Sequence, residues 1–257
     1  ATDDDAIDLF SDIPITNTSV VDTWQWTFSE PAALEAFMVM YADDGTESIS
    51  EYPVLVGTGS GTIMYSKMKN GKAETYILSC SHLIDYVEIY GTYKLSHLEA
   101  DIFDFKGSHY SKKLEIIANS HSETGKDLMM LKMLDQENLY PTAKFISKDK
   151  IDSLEIFTPI LNVGAGSGRP PYPSIGVISQ KYMEDAGLEF LWQISAPSIY
   201  GKSGCGVFTM DDYSMLGIVV RGGVSRGGMI EHQCFIVPAD TIWEWCKKEK
   251  LEFVLKG

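Results

Sequence analysis

Arginine is nearly missing from this chain, occurring only at Arg169, Arg221 and Arg226. Lysine and arginine together number 21 against 36 acidic residues, for a net charge of −15. So acidic a surface repels phosphate backbones and anionic headgroups, which argues against nucleic-acid and membrane partners. Long apolar runs are lacking too. The most apolar early stretch, AFMVMYA, is far shorter than the roughly 20 residues of a membrane-spanning helix. The first residues, ATDDDAIDLF, are acidic where a secretory leader is basic. The chain starts at Ala1 without a methionine, so a processed or trimmed product is expected, with a removed leader left open. Cysteine is sparse, at Cys80, Cys205, Cys234 and Cys246. No two are spaced as C-x2-C or C-x3-C, which argues against a zinc site, and free buried thiols are the expectation. No repeats or low-complexity tracts occur. GTGSG at 57–61 and GAGSG at 164–168 lack the G-K-[ST] ending and following helix of a phosphate loop.

What is present is a series of short apolar strands broken by turn residues. Residues 1–25 read as an acidic arm carrying Asp3, Asp4, Asp5, Asp8 and Asp12, with Trp24 and Trp26 anchoring it to the body. Beyond it, AFMVMYA, YPVLVGTGSGTIMYS, YVEIYGTYKL, LEIIAN, LMMLKML, AKFIS, EIFTPILNVG, IGVISQKY, EFLWQIS, GVFTM, MLGIVVRGG and QCFIVPA all read as strands. Asn70-Gly71 within SKMKNGKAETYILSC is a hairpin signal. One helix is expected, TIWEWCKKEK, with Asp240 as its cap and Ile242, Trp245 and Cys246 on one face. The pattern is all-β with a C-terminal helix, and it excludes a doubly wound α/β fold.

Three polar residues stand out in this frame. Catalysis by a serine hydroxyl needs a base, an acid to orient the base, and backbone donors for the oxyanion. His82, in YILSCSHLID, follows a strand at a turn and suits the base. Asp127, in HSETGKDLMMLKM, opens an apolar strand and suits the buried acid. Ser203, in SIYGKSGCGVF, lies between glycines and suits the nucleophile, with the N–H groups of Gly201 and Ser203 as oxyanion donors. The order His–Asp–Ser, with Cys205 where a second glycine would be needed, excludes the hydrolase elbow G-x-S-x-G. His121 is a rival base without the strand-to-turn setting. His97, His109 and His232 read as surface or hydrogen-bonding residues, with no metal role.

With these segments in hand, the chain resembles the trypsin-like serine proteases of the chymotrypsin clan, in pattern closest to bacterial and viral members such as Deg-type proteases and glutamyl endopeptidases. VGTGSGTIM, YILSCSHLI, GKDLMMLKM, ILNVGAGSGRPPYPSIGVIS, SIYGKSGCGVF, LGIVVRGG and FIVPADTIWEW resemble the family's segments in order over roughly residues 50 to 250. The resemblance implies two antiparallel six-stranded β-barrels, the first within residues 26–140 and the second, with the C-terminal helix, within 141–257. It implies a His82–Asp127–Ser203 triad, a polypeptide substrate and no cofactor. By the same correspondence Pro197, Ile199, Tyr200, Val220, Arg221 and Gly222 line the substrate site. Pro197 replaces the aspartate that selects Lys or Arg, so that preference is not expected. Arg221 and His232 would favour an acidic side chain, and a medium apolar one is the alternative. Lys202 stands where clip-activated members carry an acid, so activation by an inserted N-terminus is not expected. Lys202 is read as solvent-facing, or less favoured, as paired with Asp3 to Asp5. Cys205 is read as inward and structural. A catalytically inactive or latent binding or structural component and a viral polyprotein-processing protease remain the alternatives. Location stays open, with a secreted, extracytoplasmic or virus-associated setting preferred.

Overall fold

The Asn70-Gly71 dipeptide turns the chain as its composition predicts. Both residues are left-handed, with φ of 52° and 79°, the geometry of a hairpin turn that matches strand twist. The computed structural model describes residues 31–40, 54–84, 93–103, 109–121, 126–134, 137–185, 188–225 and 228–256. The acidic arm with Trp24 and Trp26, and the notion that Asp3 to Asp5 pair with Lys202, lie outside these residues.

The first barrel is built from β1 (Pro31–Met40), β2 (Val54–Lys69), β3 (Lys72–Ser79), β4 (Tyr93–Phe103), β5 (His109–Ser120) and β6 (Leu128–Met133). It closes in the order β1-β2-β3-β6-β5-β4. A connector with a short helix, α1 (Lys148–Ser153), leads to the second barrel. That barrel holds β7 (Pro159–Gly164), β8 (Tyr172–Asp185), β9 (Leu188–Ile194), β10 (Gly206–Thr209), β11 (Met215–Ser225) and β12 (Gly228–Pro238). It closes as β7-β8-β9-β12-β11-β10, the connectivity of the first barrel repeated, although the sequence shows no repeat. Every pairing in both barrels is antiparallel. Helix α2 (Ala239–Lys248) and a 3₁₀ segment (Glu252–Lys256) follow.

The strands differ from their sequence reading in informative places. AKFIS is not a strand. Phe145 makes one isolated parallel bridge to Met215, Ile146 is buried in the second barrel's core, and the Ala143 N–H donates to the Ile63 carbonyl of the first barrel at 2.8 Å, so the connector packs between the two. Of YVEIYGTYKL, residues 86–92 lie outside the described residues, and β4 continues beyond the stretch to Phe103. Helix α2 begins after Pro238, which has no capping side chain. Asp240 sits inside the first turn instead, where its carboxylate faces the helix's positive end and accepts from Tyr182 Oη at 2.8 Å.

One apolar core joins β2, β3, β5 and β6 to the inner face of β11, β12 and α2. A second, around Trp192, Ile178, Val207 and Ile236, fills the other barrel. The cleft between the barrels is therefore backed by continuous packing. No helix among the described residues is long and apolar enough to cross a membrane.

Candidate active site

Strand β3 ends at Ser79, and the chain turns at once into Cys80, Ser81 and His82. This turn is held by one carboxylate. Asp127 Oδ1 accepts from the Ser81 N–H and the His82 N–H, both at 2.9 Å, and from Ser81 Oγ at 3.1 Å. Its Oδ2 accepts from His82 Nδ1 at 2.8 Å. Asp127 is buried just before β6 in the left-handed region, φ 53°, which aspartate tolerates better than most residues. Because Nδ1–H is committed to Asp127, a neutral His82 carries its lone pair on Nε2.

The Nε2 side is not empty. Cys80 Sγ lies 3.7 Å from it, in hydrogen-bonding geometry. The electrostatic interaction with Cys80, and then the hydrogen bond and charge of Asp127, hold the His82 imidazole above its ordinary pKa of 6.5, while burial opposes them. His121, the rival base, is exposed at the end of β5 and is not the imidazole bonded to Asp127.

Ser203 comes from the other barrel. It sits between two left-handed glycines, Gly201 (φ 92°) and Gly204 (φ 85°). A Cβ on Gly204 would lie 2.2 Å from the Ser60 carbonyl oxygen and 2.4 Å from Ser79 Oγ, so no other residue fits. The turn is thereby pressed onto the end of β3, beside Ser79 and Cys80. The Ser203 carbonyl accepts from the Ser60 N–H at 2.7 Å, and the Gly204 N–H donates to the Val219 carbonyl at 2.6 Å. The Tyr200 carbonyl accepts from the Ser167 N–H at 2.6 Å. Across a trans peptide the Gly201 N–H then points the opposite way. Among the described residues neither the Gly201 nor the Ser203 N–H has an acceptor. No hydrogen bond between Ser203 Oγ and His82 is present among the described residues.

The residues expected to line the substrate site fall on two segments. Pro197, Ile199 and Tyr200 precede the serine turn; Ile199 is exposed and Tyr200 is 80% exposed. Val220, Arg221 and Gly222 lie on β11, with Arg221 opposite Phe235 and Gly222 opposite Cys234. Val220 turns its side chain into the shared core. His232 is exposed, with Nδ1 3.4 Å from the Ser195 carbonyl oxygen.

Lys202 corrects its sequence reading. It does not face solvent: only 1% of it is exposed. Its ammonium donates to Asn162 Oδ1 at 2.9 Å and to Ser174 Oγ at 2.5 Å, and lies 4.1 Å from the centre of the Tyr172 ring. Burial lowers its pKa below 10.5. All four cysteines are free and buried. Burial raises the Cys205 thiol far above its ordinary pKa, which leaves it an inert structural group as expected.

Two residues here escaped sequence reading. Ser60, inside GTGSG, donates from Oγ to the Gly201 carbonyl at 2.6 Å and accepts from the Ala165 N–H at 2.8 Å. Ser81 braces Asp127 through its N–H, and its one hydroxyl proton is shared between Asp127 Oδ1 and the Ser120 carbonyl, 2.7 Å away. The doublet of serines around Cys80 was the available signal for Ser81. For Ser60, nothing local marks a partner 141 residues away.

No family model matches this chain, and no curated protein matches it. Solved structures do. The chain is similar to Deg5, with a TM-score of 0.60 and 18% identity over 88% of this chain and 90% of that one. It is similar to AlgW, an HtrA-type protease solved with a tripeptide, with a TM-score of 0.63 and 18% identity over 90% of this chain. It spans 63% of the length of that second protein. Both are trypsin-like serine proteases, and the two-barrel fold described above is the chymotrypsin-like fold they share.

Proposed function

We propose that this chain is a serine endopeptidase that cleaves a polypeptide through an acyl-enzyme. Ser203 Oγ attacks the scissile carbonyl and His82 Nε2 takes its proton. Asp127 keeps the imidazole in that tautomer, and the Gly201 and Ser203 N–H groups receive the oxyanion. The observation that carries this reading is the Asp127 carboxylate. Four donors fix it against the His82 turn, and that turn abuts the glycine-flanked serine of the other barrel. The two N–H groups without acceptors support the oxyanion role. The site residues need no cofactor for this chemistry.

A latent state is a second reading, favoured by one observation: His82 Nε2 meets Cys80 rather than Ser203 Oγ. Labelling with a fluorophosphonate probe separates the two. The active form labels, and Ser203→Ala and His82→Ala do not. A folded wild type that stays unlabelled would assign the fold to binding rather than cleavage. A peptide-library profile of the active form then reads the preference set around Pro197 and Arg221.

A further inference from the structure

Among the described residues, Cys80, His82 and Asp127 form a cluster of metal-capable groups, with one donor atom from each within 4.8 Å of the others. The protease mechanism uses two of these residues and leaves Cys80 without a role. The separation of Cys80 Sγ from His82 Nε2 is 3.7 Å. A tetrahedral zinc ion with Zn–S of about 2.3 Å and Zn–N of about 2.0–2.1 Å holds its two donors about 3.6 Å apart. The two ligands already stand at the span such an ion requires. A thiol with an imidazole is also the donor pair that selects zinc over magnesium or calcium.

The surroundings fit as well. A metal-bound histidine generally donates its other ring N–H to a carboxylate, which orients it. His82 Nδ1 does this with Asp127 at 2.8 Å, leaving Nε2 as the ligand atom. Cys80 is buried, but the His82 side chain remains 34% exposed, so an ion can arrive from the cleft.

We propose that Cys80 Sγ and His82 Nε2 form a zinc-binding site whose occupancy switches off the serine. Binding replaces the thiol proton with Zn–S and releases that proton to solvent; no electrons are transferred. Water fills the remaining positions of the ion. The metal occupies the Nε2 lone pair that would receive the Ser203 proton, so bound zinc and general-base catalysis exclude each other. The sequence offered no paired cysteines, and a search for paired cysteines overlooks a Cys-x-His pair closed by a turn. The inhibitory half of this proposal rests on the protease reading; the binding half does not.

The test therefore has two arms on the full chain. In the first, Co²⁺ serves as a spectroscopic substitute for zinc, in protein shown to be folded by near-UV circular dichroism. Wild type and Ser203→Ala should each show a thiolate-to-cobalt charge-transfer band saturating at one equivalent and displaced by zinc. Cys80→Ala and Cys80→Ser should lack it, while Cys246→Ala keeps it. No band in folded wild type, or a band that survives both Cys80 substitutions, overturns the proposal. The two replacements guard against one failing to fold. In the second arm, fluorophosphonate labelling of wild type, Cys80→Ala and Cys80→Ser is compared with the metal-free rate of each. Wild type should lose about tenfold at a zinc concentration near ten times Kd, with recovery in EDTA. Cys80→Ala should lose no more than twofold. Equal zinc sensitivity in the two would sink the inhibitory role. If metal-free wild type does not label at all, the protease reading fails, and the cobalt arm still decides the metal site.

Discussion

Asp127 and Lys202 are both buried charges, and they are handled oppositely. Asp127 is surrounded by donors, and one of them, His82 Nδ1, is the group whose tautomer it sets. Asp127→Asn presents an amide that can donate to Nδ1 and so favours the wrong tautomer. Fluorophosphonate labelling should fall roughly 1,000- to 10,000-fold while the unfolding midpoint moves little by comparison. Among the described residues Lys202 has only neutral partners, so its burial is a cost. The sign of its pH effect follows. Burial depresses its folded-state pKa below the 10.5 of the unfolded chain. Between those two values the unfolded chain holds more protons, so stability rises with pH across that window. Below both values the cost is complete and constant. Urea unfolding from pH 7 to 10.5 should therefore show wild type gaining on Lys202→Met as pH climbs, and parallel profiles would refute this. The lysine's identity was plain in the sequence. Its burial was not, because a side chain's direction depends on the left-handed glycine before it and on Asn162 and Ser174, which are distant in the chain.

At the scale of elements, the site is a junction of strand ends. The segment GTGSG on β2 looks like a flexible glycine tract, yet it is the surface on which the serine turn rests. Ser60 uses its N–H, carbonyl and hydroxyl on Ser203, Ser79 and Gly201 respectively. Ser60→Ala leaves the Gly201 carbonyl and the Ala165 N–H without their buried partner. The expected loss is about 1–3 kcal/mol in urea unfolding, with a severalfold drop in labelling as the oxyanion turn loosens. Unchanged labelling would show that Ser60 only holds the barrels together. Gly204→Ala should be worse on both measures. Its Cβ meets backbone at 2.2 Å in a left-handed conformation, and neither conflict can be relieved by a side chain moving. The hairpin at Asn70-Gly71, the strand leading to His82 and the glycine turn at Ser203 were all legible, because each is coded within a few residues. AKFIS was misread for the same reason: its alternation reflects packing between the two barrels, and a ladder needs a partner strand that local pattern does not reveal.

Across the whole molecule, the two barrels are not independent. The C-terminal 3₁₀ segment follows the second barrel but packs on the first. Phe253 makes edge-to-face contacts with Tyr65 and Tyr76, both with ring centroids 5.4 Å apart. Phe253→Ala should cost about 1–3 kcal/mol and speed amide exchange selectively in β2 and β3, far from it in sequence. Exchange that accelerates only around α2 would argue against the clasp. The sequence by itself determined the strand succession, the closing helix, the acidic surface and the order in which His82, Asp127 and Ser203 occur. Those features depend on composition, on period and on residues near one another in the chain. The tertiary structure alone decided that Ser60 anchors the glycine turn at Ser203, that Lys202 is buried against Asn162 and Ser174, and that Cys80 Sγ faces His82 Nε2. Each of these depends on barrel closure or on the direction of one side chain at a turn, and distances of that kind exist only once the chain has folded.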